Sequence, residues 1–151
     1  MSEPSPPRIL PPHLFALGVI AIAAIGWGAG GLLLPGPWRY GGVVPMLLGV
    51  LIAVRGSRQF AAADTNIIPL TRSTALVTDG VFAFSRNPMY LGMLLFLAGA
   101  ALIANTPWAW MVPAVFFVII RQAFVVREEA LMEATFGDAY NAYRSEVRRW
   151  L

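Results

Sequence analysis

The longest charge-free stretch of the chain, residues 87–120, reads NPMYLGMLLFLAGAALIANTPWAWMVPAVFFVII and decides the fold. Its 34 residues are too many for one membrane crossing, which needs about 20 apolar residues. The turn-forming Asn-Thr-Pro at 105–107 divides it into two apolar halves. We therefore predict a helical hairpin in a membrane, with one helix from about Met89 to Ala104 and another from about Trp108 to Val126.

Two further apolar runs precede this hairpin. Leu14–Leu34 carries no charge over 21 residues and spans about 31 Å as a helix, which matches the hydrocarbon core of a bilayer. Tyr40–Val54 has only 15 residues, so we expect its helix to continue through Arg55, Arg58 and Gln59, whose side chains reach the lipid headgroups. Together with the hairpin, these runs predict an all-α integral membrane protein with about four transmembrane helices.

The chain changes character at both ends. Residues 1–12 are rich in proline and predict a disordered tail, which leaves residues 13–151 as a single domain. After Arg121 the sequence becomes charged and amphipathic, with a helix end at Gly137 and Asp138 as the N-cap of the next helix. We expect these C-terminal amphipathic helices to lie on the membrane surface.

The composition excludes several classes of protein. Hydrophobic residues make up 58% of the 151 residues and charged residues 13%, about half the charged share of an ordinary soluble domain. The chain has no cysteine and no lysine, and its one histidine is His13. Disulfides, cysteine nucleophiles, thiolate and histidine-rich metal sites, histidine-based triads and lysine Schiff bases are therefore excluded or disfavoured.

The charges also predict an orientation. With four spans, all of the acidic residues and ten of the eleven arginines fall on one side of the membrane, and Arg39 alone falls on the other. The positive-inside rule then makes both termini cytoplasmic, as in a protein of the bacterial inner membrane. Although the net charge is +3, the arginines flank apolar runs, so membrane lipids explain them better than nucleic acid does.

Two polar clusters lie beside the predicted hairpin, at its entrance and at its exit. The first cluster runs from Leu76 to Gly92, across the end of the polar connector 61–85, and the second is Arg127-Glu128-Glu129 followed by Phe136–Tyr140. Taken singly, these residues have ordinary interpretations: Arg86 reaches the headgroups, Asn87 caps a helix, and Tyr90 lies at the interface. Because the two clusters flank the same hairpin, we expect them to lie close together at its cytoplasmic mouth.

The clusters together resemble a known family. Arg-Asn-Pro-Met-Tyr-Leu-Gly at 86–92 is preceded by Leu-Val-Thr-Asp-Gly at 76–80 and followed by Glu128-Glu129 and by Phe-Gly-x-x-Tyr-x-x-Tyr at 136–143. In order and spacing these motifs resemble the isoprenylcysteine carboxyl methyltransferase and phospholipid methyltransferase superfamily. Members of this superfamily are integral-membrane enzymes that use S-adenosylmethionine. Many carboxyl methyltransferases have Arg-His-Pro where this chain has Asn87, and the family's usual Val-Pro-Arg is here Val-Arg-Arg at 147–149.

The resemblance implies that the connector and the cytoplasmic ends of the hairpin helices, about residues 60–150, enclose S-adenosylmethionine. An arginine can fork onto the carboxylate of this cofactor, and a glutamate can accept from its ammonium or hydroxyl groups. Which glutamate of the pair contacts it stays open, and Arg121 is the candidate for orienting an anionic acceptor. The residues that the resemblance assigns to cofactor binding are Leu76, Val77, Phe82, Arg86, Asn87, Tyr90, Glu128 and Glu129.

The implied reaction is methyl transfer to a lipophilic carboxylate, amine or thiol that enters from the bilayer. Three alternatives stay open from the sequence: a small four-helix transporter, a non-catalytic membrane subunit, and a sterol-reductase-like enzyme that uses NADPH. Gly26 and Gly30 are spaced as a small-xxx-small pair, which makes a homodimer through this face a further expectation.

Overall fold

Every regular element in the described part of the structure is a helix, which confirms the predicted all-α fold class. The structure is a computed structural model and describes residues 9–28, 33–34, 36–66, 68–71 and 73–151. The α-helices within these ranges are α1 (Pro11–Gly28), α2 (Val43–Ala62), α3 (Pro88–Ala104), α4 (Met111–Ile120), α5 (Val126–Phe136) and α6 (Asp138–Glu146). Short 3-10 turns precede α2, α3 and α4, at Gly36–Gly42, Gly80–Ala83 and Pro107–Trp110.

Three helical stretches of the described chain are long and apolar enough to cross a membrane. They are Pro11–Gly28, Pro37–Ala62 and Pro107–Phe136. The helix α3 is equally apolar but has 17 residues, or about 26 Å, at the lower limit for a span. The described chain therefore contains four apolar helices, in agreement with the predicted number of about four spans.

The helix boundaries refine the sequence prediction. The helix α1 begins at Pro11, inside the segment predicted as a disordered tail, and α2 continues to Ala62 as expected. The second hairpin helix runs past Val126 to Phe136, with a π-helical turn at Arg121–Val125 between α4 and α5. Such π turns are frequent at functional sites.

Glycines bring the backbones of α2 and α3 into direct contact. Glycines recur at intervals of seven residues along α2, at its N-cap Gly42 and then at Gly49 and Gly56. The same interval separates Gly92 from Gly99 in α3. A Cβ atom added to Gly92 would meet the carbonyl oxygen of Gly49, and one on Gly99 would meet that of Gly42. The two helices therefore pack closely because neither carries a side chain at these points.

The main core lies where α1, α3 and the second hairpin helix meet. Ile22 of α1, Leu97 and Ala101 of α3, and Phe116 and Ile120 of α4 are all buried in this cluster. By contrast, most side chains of α2 point outward. This distribution is typical of a small bundle whose outer surface faces lipid.

Asn105 closes the hairpin. It is buried, and its φ of 57° places it in the left-handed region at the end of α3, which asparagine tolerates better than most residues. Its side-chain amide accepts from the backbone N–H of Leu34 (2.8 Å) and donates to the carbonyl of Leu34 (3.0 Å). The turn is thus tied to the chain that leaves α1.

The predicted dimer face is only partly described. Gly26 faces its own chain, because a Cβ atom there would lie 3.1 Å from the Cβ atom of Ala104. Gly30, the other member of the pair, lies outside the described residues. A homodimer through this face stays a prediction.

The last helix, α6, is amphipathic, as predicted. Gly137 has a φ of 52° and is itself the N-cap of α6, so Asp138 is the first helical residue and not the cap. The helix α6 buries Tyr140 and Tyr143 and exposes Asn141 and Ser145 on its other face. The two tyrosines form a second buried cluster with Phe82.

Candidate active site

A cavity of about 300 Å³ lies where the two buried clusters meet. Its walls come from the starts of α1 and α3, the end of α2, the connector between α2 and α3, and the helices α5 and α6. The connector is folded back over this space by Gln59, whose side chain donates to the carbonyl of Asp79 (2.9 Å) and accepts from the backbone N–H of Val81 (3.1 Å). Segments that are far apart in sequence therefore enclose one space.

The segment that enters α3 is braced by the end of the chain. Pro88 opens the helix, a position where its missing N–H costs nothing. The side chain of Asn87 makes no capping hydrogen bond and instead donates to the carbonyl of Arg149 (3.1 Å). The backbone N–H of Arg86 donates to the carbonyl of Arg148 (3.0 Å). These contacts fix the first turn of α3, on which Tyr90 is carried.

Tyr90 and Glu128 form a pair across the cavity. The hydroxyl of Tyr90, in the first turn of α3, donates to Oε1 of Glu128 in α5 at 2.8 Å. Both residues line the cavity. In the described part of the chain, no arginine lies within ion-pair distance of Glu128. This carboxylate is therefore held in place by a neutral partner and keeps acceptor capacity for a cationic or hydroxyl group.

Glu129, the neighbouring carboxylate, is already occupied. Its Oε1 accepts from Nη2 of Arg86 (2.9 Å) and from Nε of Arg149 (2.9 Å), and its Oε2 accepts from Nη2 of Arg149 (2.6 Å). Only 11% of its side chain is exposed. Two arginines therefore neutralise Glu129, and the two adjacent glutamates differ sharply in what they can offer a ligand.

The guanidinium group of Arg86 is largely used within the protein. Its Nη1 donates to the carbonyls of Arg144 and Val147, each at 3.0 Å, and its Nη2 donates to Glu129. Its Nε is buried and has no hydrogen-bond partner among the residues that the structure describes. Since an unpaired buried donor is costly, this N–H is a candidate for an acceptor on a ligand.

Aromatic and aliphatic side chains form the wall beside the 3-10 turn Gly80–Ala83. The ring of Phe82 stacks on that of Phe60 with 5.0 Å between centroids, and Leu76 and Val77 pack against the same cluster. The hydroxyl of Tyr143 donates to the carbonyl of Phe82 at 2.6 Å. Burial raises the pKa of Tyr143 to about 12, so this phenol stays protonated and keeps its hydrogen bond at neutral pH.

Replacing Tyr143 by Phe is expected to destabilise the folded protein by about 1–3 kcal/mol, because the buried carbonyl of Phe82 loses its donor. Thermal unfolding of the purified protein in detergent measures this. The control is Tyr40→Phe, since the hydroxyl of Tyr40 is exposed and its removal is expected to cost less than about 0.5 kcal/mol. An equal loss in both variants would show that the contact with Phe82 contributes nothing.

A sequence model of the family described as phospholipid methyltransferase matches residues 38–139. The match covers more than half of the chain, from the turn before α2 to the start of α6. The chain belongs to the phospholipid methyltransferase family. The matched segment contains all eight residues assigned to cofactor binding, whereas α1 and the C-terminal tail lie outside it.

Two curated proteins are similar to this methyltransferase over part of its length. An uncharacterized protein of Haemophilus influenzae is 41% identical over 63 residues, which are 42% of this chain and the whole of that protein. The protein-S-isoprenylcysteine O-methyltransferase of Schizosaccharomyces pombe is 32% identical over 76 residues, which are 48% of this chain and 30% of that protein. No solved structure matches. The family and the second relative together support a membrane methyltransferase.

The structure brings the predicted cofactor-binding residues of this family member together. All of them line the cavity, from both sides of the hairpin as expected: Leu76, Val77, Phe82, Arg86, Asn87, Tyr90, Glu128 and Glu129. Arg121 is not among the lining residues and lies in the π-helical turn, seven residues before Glu128. The orientation of an acceptor by Arg121 stays a prediction.

Sequence reasoning missed two parts of the candidate site. The cavity is also lined by Leu10, Pro11 and Pro12 at the start of α1, a segment whose proline content is typical of a tail. No local pattern signals a contact this distant along the chain. The second part is Arg149. The sequence does contain a signal for it, because Arg149 matches the arginine of the family's usual Val-Pro-Arg.

Proposed function

We propose that the protein transfers a methyl group from S-adenosylmethionine to a lipophilic acceptor at the cytoplasmic face of the membrane. The observation that carries this proposal is the convergence of all eight assigned residues on one cavity of about 300 Å³ at the mouth of the hairpin. A space of this volume is at the lower end of what small-molecule and cofactor sites need.

The polar groups of the cavity fit this cofactor. Glu128 is a carboxylate without an arginine partner in the described part of the chain, and it suits the ammonium or the ribose hydroxyls. The unpartnered Nε of Arg86 suits the cofactor's carboxylate. The carboxylate of Glu129 already accepts hydrogen bonds from Arg86 and Arg149. Glu128 is therefore the better candidate of the two glutamates for contact with the cofactor.

The apolar wall fits the remaining part of the cofactor. Phe60 and Phe82 stack on each other, and Leu76 and Val77 lie against the same cluster. Such side chains offer flat and aliphatic surfaces to an adenine ring. The polar and the apolar parts of the cavity therefore correspond to the two ends of S-adenosylmethionine.

The proposed chemistry needs little from the protein beyond alignment. When bound, S-adenosylmethionine supplies a methyl group already activated on a sulfonium. Holding the two reactants in line can contribute up to about 7–11 kcal/mol. A carboxylate acceptor needs no base, whereas an amine must release a proton, which the carboxylate of Glu128 can receive. A chain with His13 as its one histidine suits a reaction of this kind.

The acceptor is proposed to reach the cavity from the bilayer. The cavity has apolar lining near the starts of α1 and α3, from Leu10, Pro11 and Met93. These residues lie next to the surface that we expect lipid to cover. Placement in a bacterial inner membrane with cytoplasmic termini belongs to the same proposal and rests on the arginine distribution. Phospholipid amines and prenylated carboxylates both satisfy these requirements.

Calorimetry on the detergent-purified protein tests the cofactor. We expect saturable binding of S-adenosylmethionine and of S-adenosylhomocysteine and no saturable binding of NADPH. Tyr90→Phe, which removes one hydrogen bond to Glu128, is expected to weaken cofactor binding by about two- to tenfold, with Tyr40→Phe as the matched control. Binding of NADPH without binding of either sulfur compound would favour a reductase and overturn the proposal.

Native membranes identify the acceptor. Membranes containing the protein, incubated with methyl-labelled S-adenosylmethionine, are expected to yield one labelled lipophilic product by mass spectrometry. The same membranes with the Glu128→Gln variant serve as the control. Equal labelling in both would assign the transfer to another enzyme.

A further inference from the structure

The last five residues of the chain form an ordered strap, which we define as residues 147–151. The strap leaves α6 at Val147 in an extended conformation, with φ −113° and ψ 131°. The carbonyls of three successive strap residues accept hydrogen bonds from the segment that enters α3, from Arg86 and Asn87 among others. The strap lies beyond the family match at 38–139.

Side chains anchor the strap on its other side. Arg149 donates hydrogen bonds to both carboxylate oxygens of Glu129, from Nε at 2.9 Å and from Nη2 at 2.6 Å. The next residue, Trp150, packs against the ring of Phe117 with 5.2 Å between centroids, and also against the main core. The strap therefore joins the entrance of α3 to α5 and to the body of the bundle.

No residue of the strap lines the cavity, but its partners do. Arg86, Asn87 and Glu129 are all lining residues, and each makes a hydrogen bond to the strap. Without Arg149, Glu129 would keep Arg86 as its one arginine partner, and Arg86 would be drawn toward a carboxylate free to rotate. The arrangement of Arg86 and Glu129 thus depends on the side chain of Arg149, which does not line the cavity.

We infer that Arg149 is a positioning residue, whose side chain holds Glu129 and through it Arg86 in the arrangement that binds the cofactor. This inference rests on the proposed function. The bidentate geometry explains why an arginine stands here, since two parallel N–H···O bonds fix the orientation of a carboxylate and one point charge does not. The side chain of Arg149 is 33% exposed, and ion pairs in contact with water add little to stability. Its removal is therefore expected to act on cofactor affinity more than on folding.

The test compares two adjacent arginines. Arg149→Gln is expected to weaken binding of S-adenosylhomocysteine about tenfold in calorimetry of the purified protein, the lower end of the loss that follows when the hydrogen-bond partner of a metal-binding side chain is removed. Arg148→Gln is the matched control, because the side chain of Arg148 is exposed and its carbonyl survives the substitution. The control is expected to bind like the wild type. Equal affinities of the two variants would overturn the inference.

A double-mutant cycle then shows whether Arg149 acts through Glu129. In the Glu129→Gln background, the further change Arg149→Gln is expected to have no additional effect on affinity. Arg149→Lys keeps the charge without the fork and is expected to bind with intermediate affinity, and it serves as the second variant if the glutamine variant does not fold. Additive effects, or full affinity with lysine, would contradict positioning through a bidentate contact. If the wild type binds no cofactor, the proposed function itself fails, and this inference fails with it.

Discussion

Replacing Glu128 by Gln is expected to weaken binding of S-adenosylmethionine by about ten- to a hundredfold. Hydrogen bonds to charged groups contribute about 1.5–3 kcal/mol each, and 1.36 kcal/mol corresponds to a factor of ten. Glutamine has the same size as glutamate and can still accept from the hydroxyl of Tyr90. The substitution therefore removes the negative charge and leaves the shape of the cavity unchanged. Calorimetry with S-adenosylmethionine measures the loss.

The stability of this variant separates a binding role from a folding role. A buried carboxylate without a cationic partner is costly in the folded state, so Glu128→Gln is expected to keep or raise the unfolding temperature. The control is Glu133→Gln on the same helix, because Glu133 is half exposed and pairs with Arg144 at the surface. It is expected to bind the cofactor like the wild type. Full affinity in Glu128→Gln would remove this residue from the site, and a large fall in unfolding temperature would make its role structural.

The part of the site that could be predicted from the sequence depends on chain topology. Tyr90 and Glu128 lie 38 residues apart but meet because a helical hairpin must return its exit to its entrance. Apolar periodicity and one turn sequence at 105–107 are enough to predict that hairpin. Residues at its mouth therefore come together whatever the detailed packing is.

The missing part depends on pairings that no local pattern contains. The two adjacent glutamates have the same side chain, and only the structure shows that Arg86 and Arg149 occupy Glu129. The start of α1 likewise joins the cavity through contacts with segments more than 50 residues away. In each case the partner is chosen by tertiary packing, so sequence reasoning could name candidates but not their partners.

The glycines show the same limit of sequence reasoning, since spacing names candidate contact positions but not their partners. Sequence spacing singled out Gly26 and Gly30 as a close-packing pair, but α1, α2 and α3 each contain at least two glycines. Among the described glycines, an added Cβ atom would meet the backbone of another helix most closely at Gly49 and Gly92, which face each other, and at Gly42 and Gly99. The interval of seven residues in both helices is the signal that distinguishes these positions, since it keeps each glycine on one face of its helix.

Gly92→Ala is expected to be among the most disruptive single-methyl changes in the described helices. The added Cβ atom would meet the carbonyl oxygen of Gly49 and would lie 2.9 Å from the Cβ atom and 3.0 Å from the backbone nitrogen of Ala53. Two of these three atoms belong to backbone, so α2 and α3 must separate to make room. Overpacking of this kind costs about 1–3 kcal/mol, or about 2–12 °C in unfolding temperature, although alanine itself favours helix over glycine.

Gly41→Ala is the matched control for this change. A Cβ atom at Gly41 would have no neighbour within 4 Å in the described part of the chain, so the unfolding temperature is expected to stay near that of the wild type.

The separation of the helices also has a consequence for the site. Gly92 lies two residues after Tyr90, so a shift of α3 moves the hydroxyl that Glu128 accepts at 2.8 Å. Gly92→Ala is therefore expected to weaken cofactor binding even at temperatures where the variant is fully folded. Equal unfolding temperatures for the two alanine variants would show that the backbone contact between α2 and α3 does not limit stability, and wild-type affinity in Gly92→Ala would show that the site tolerates movement of α3.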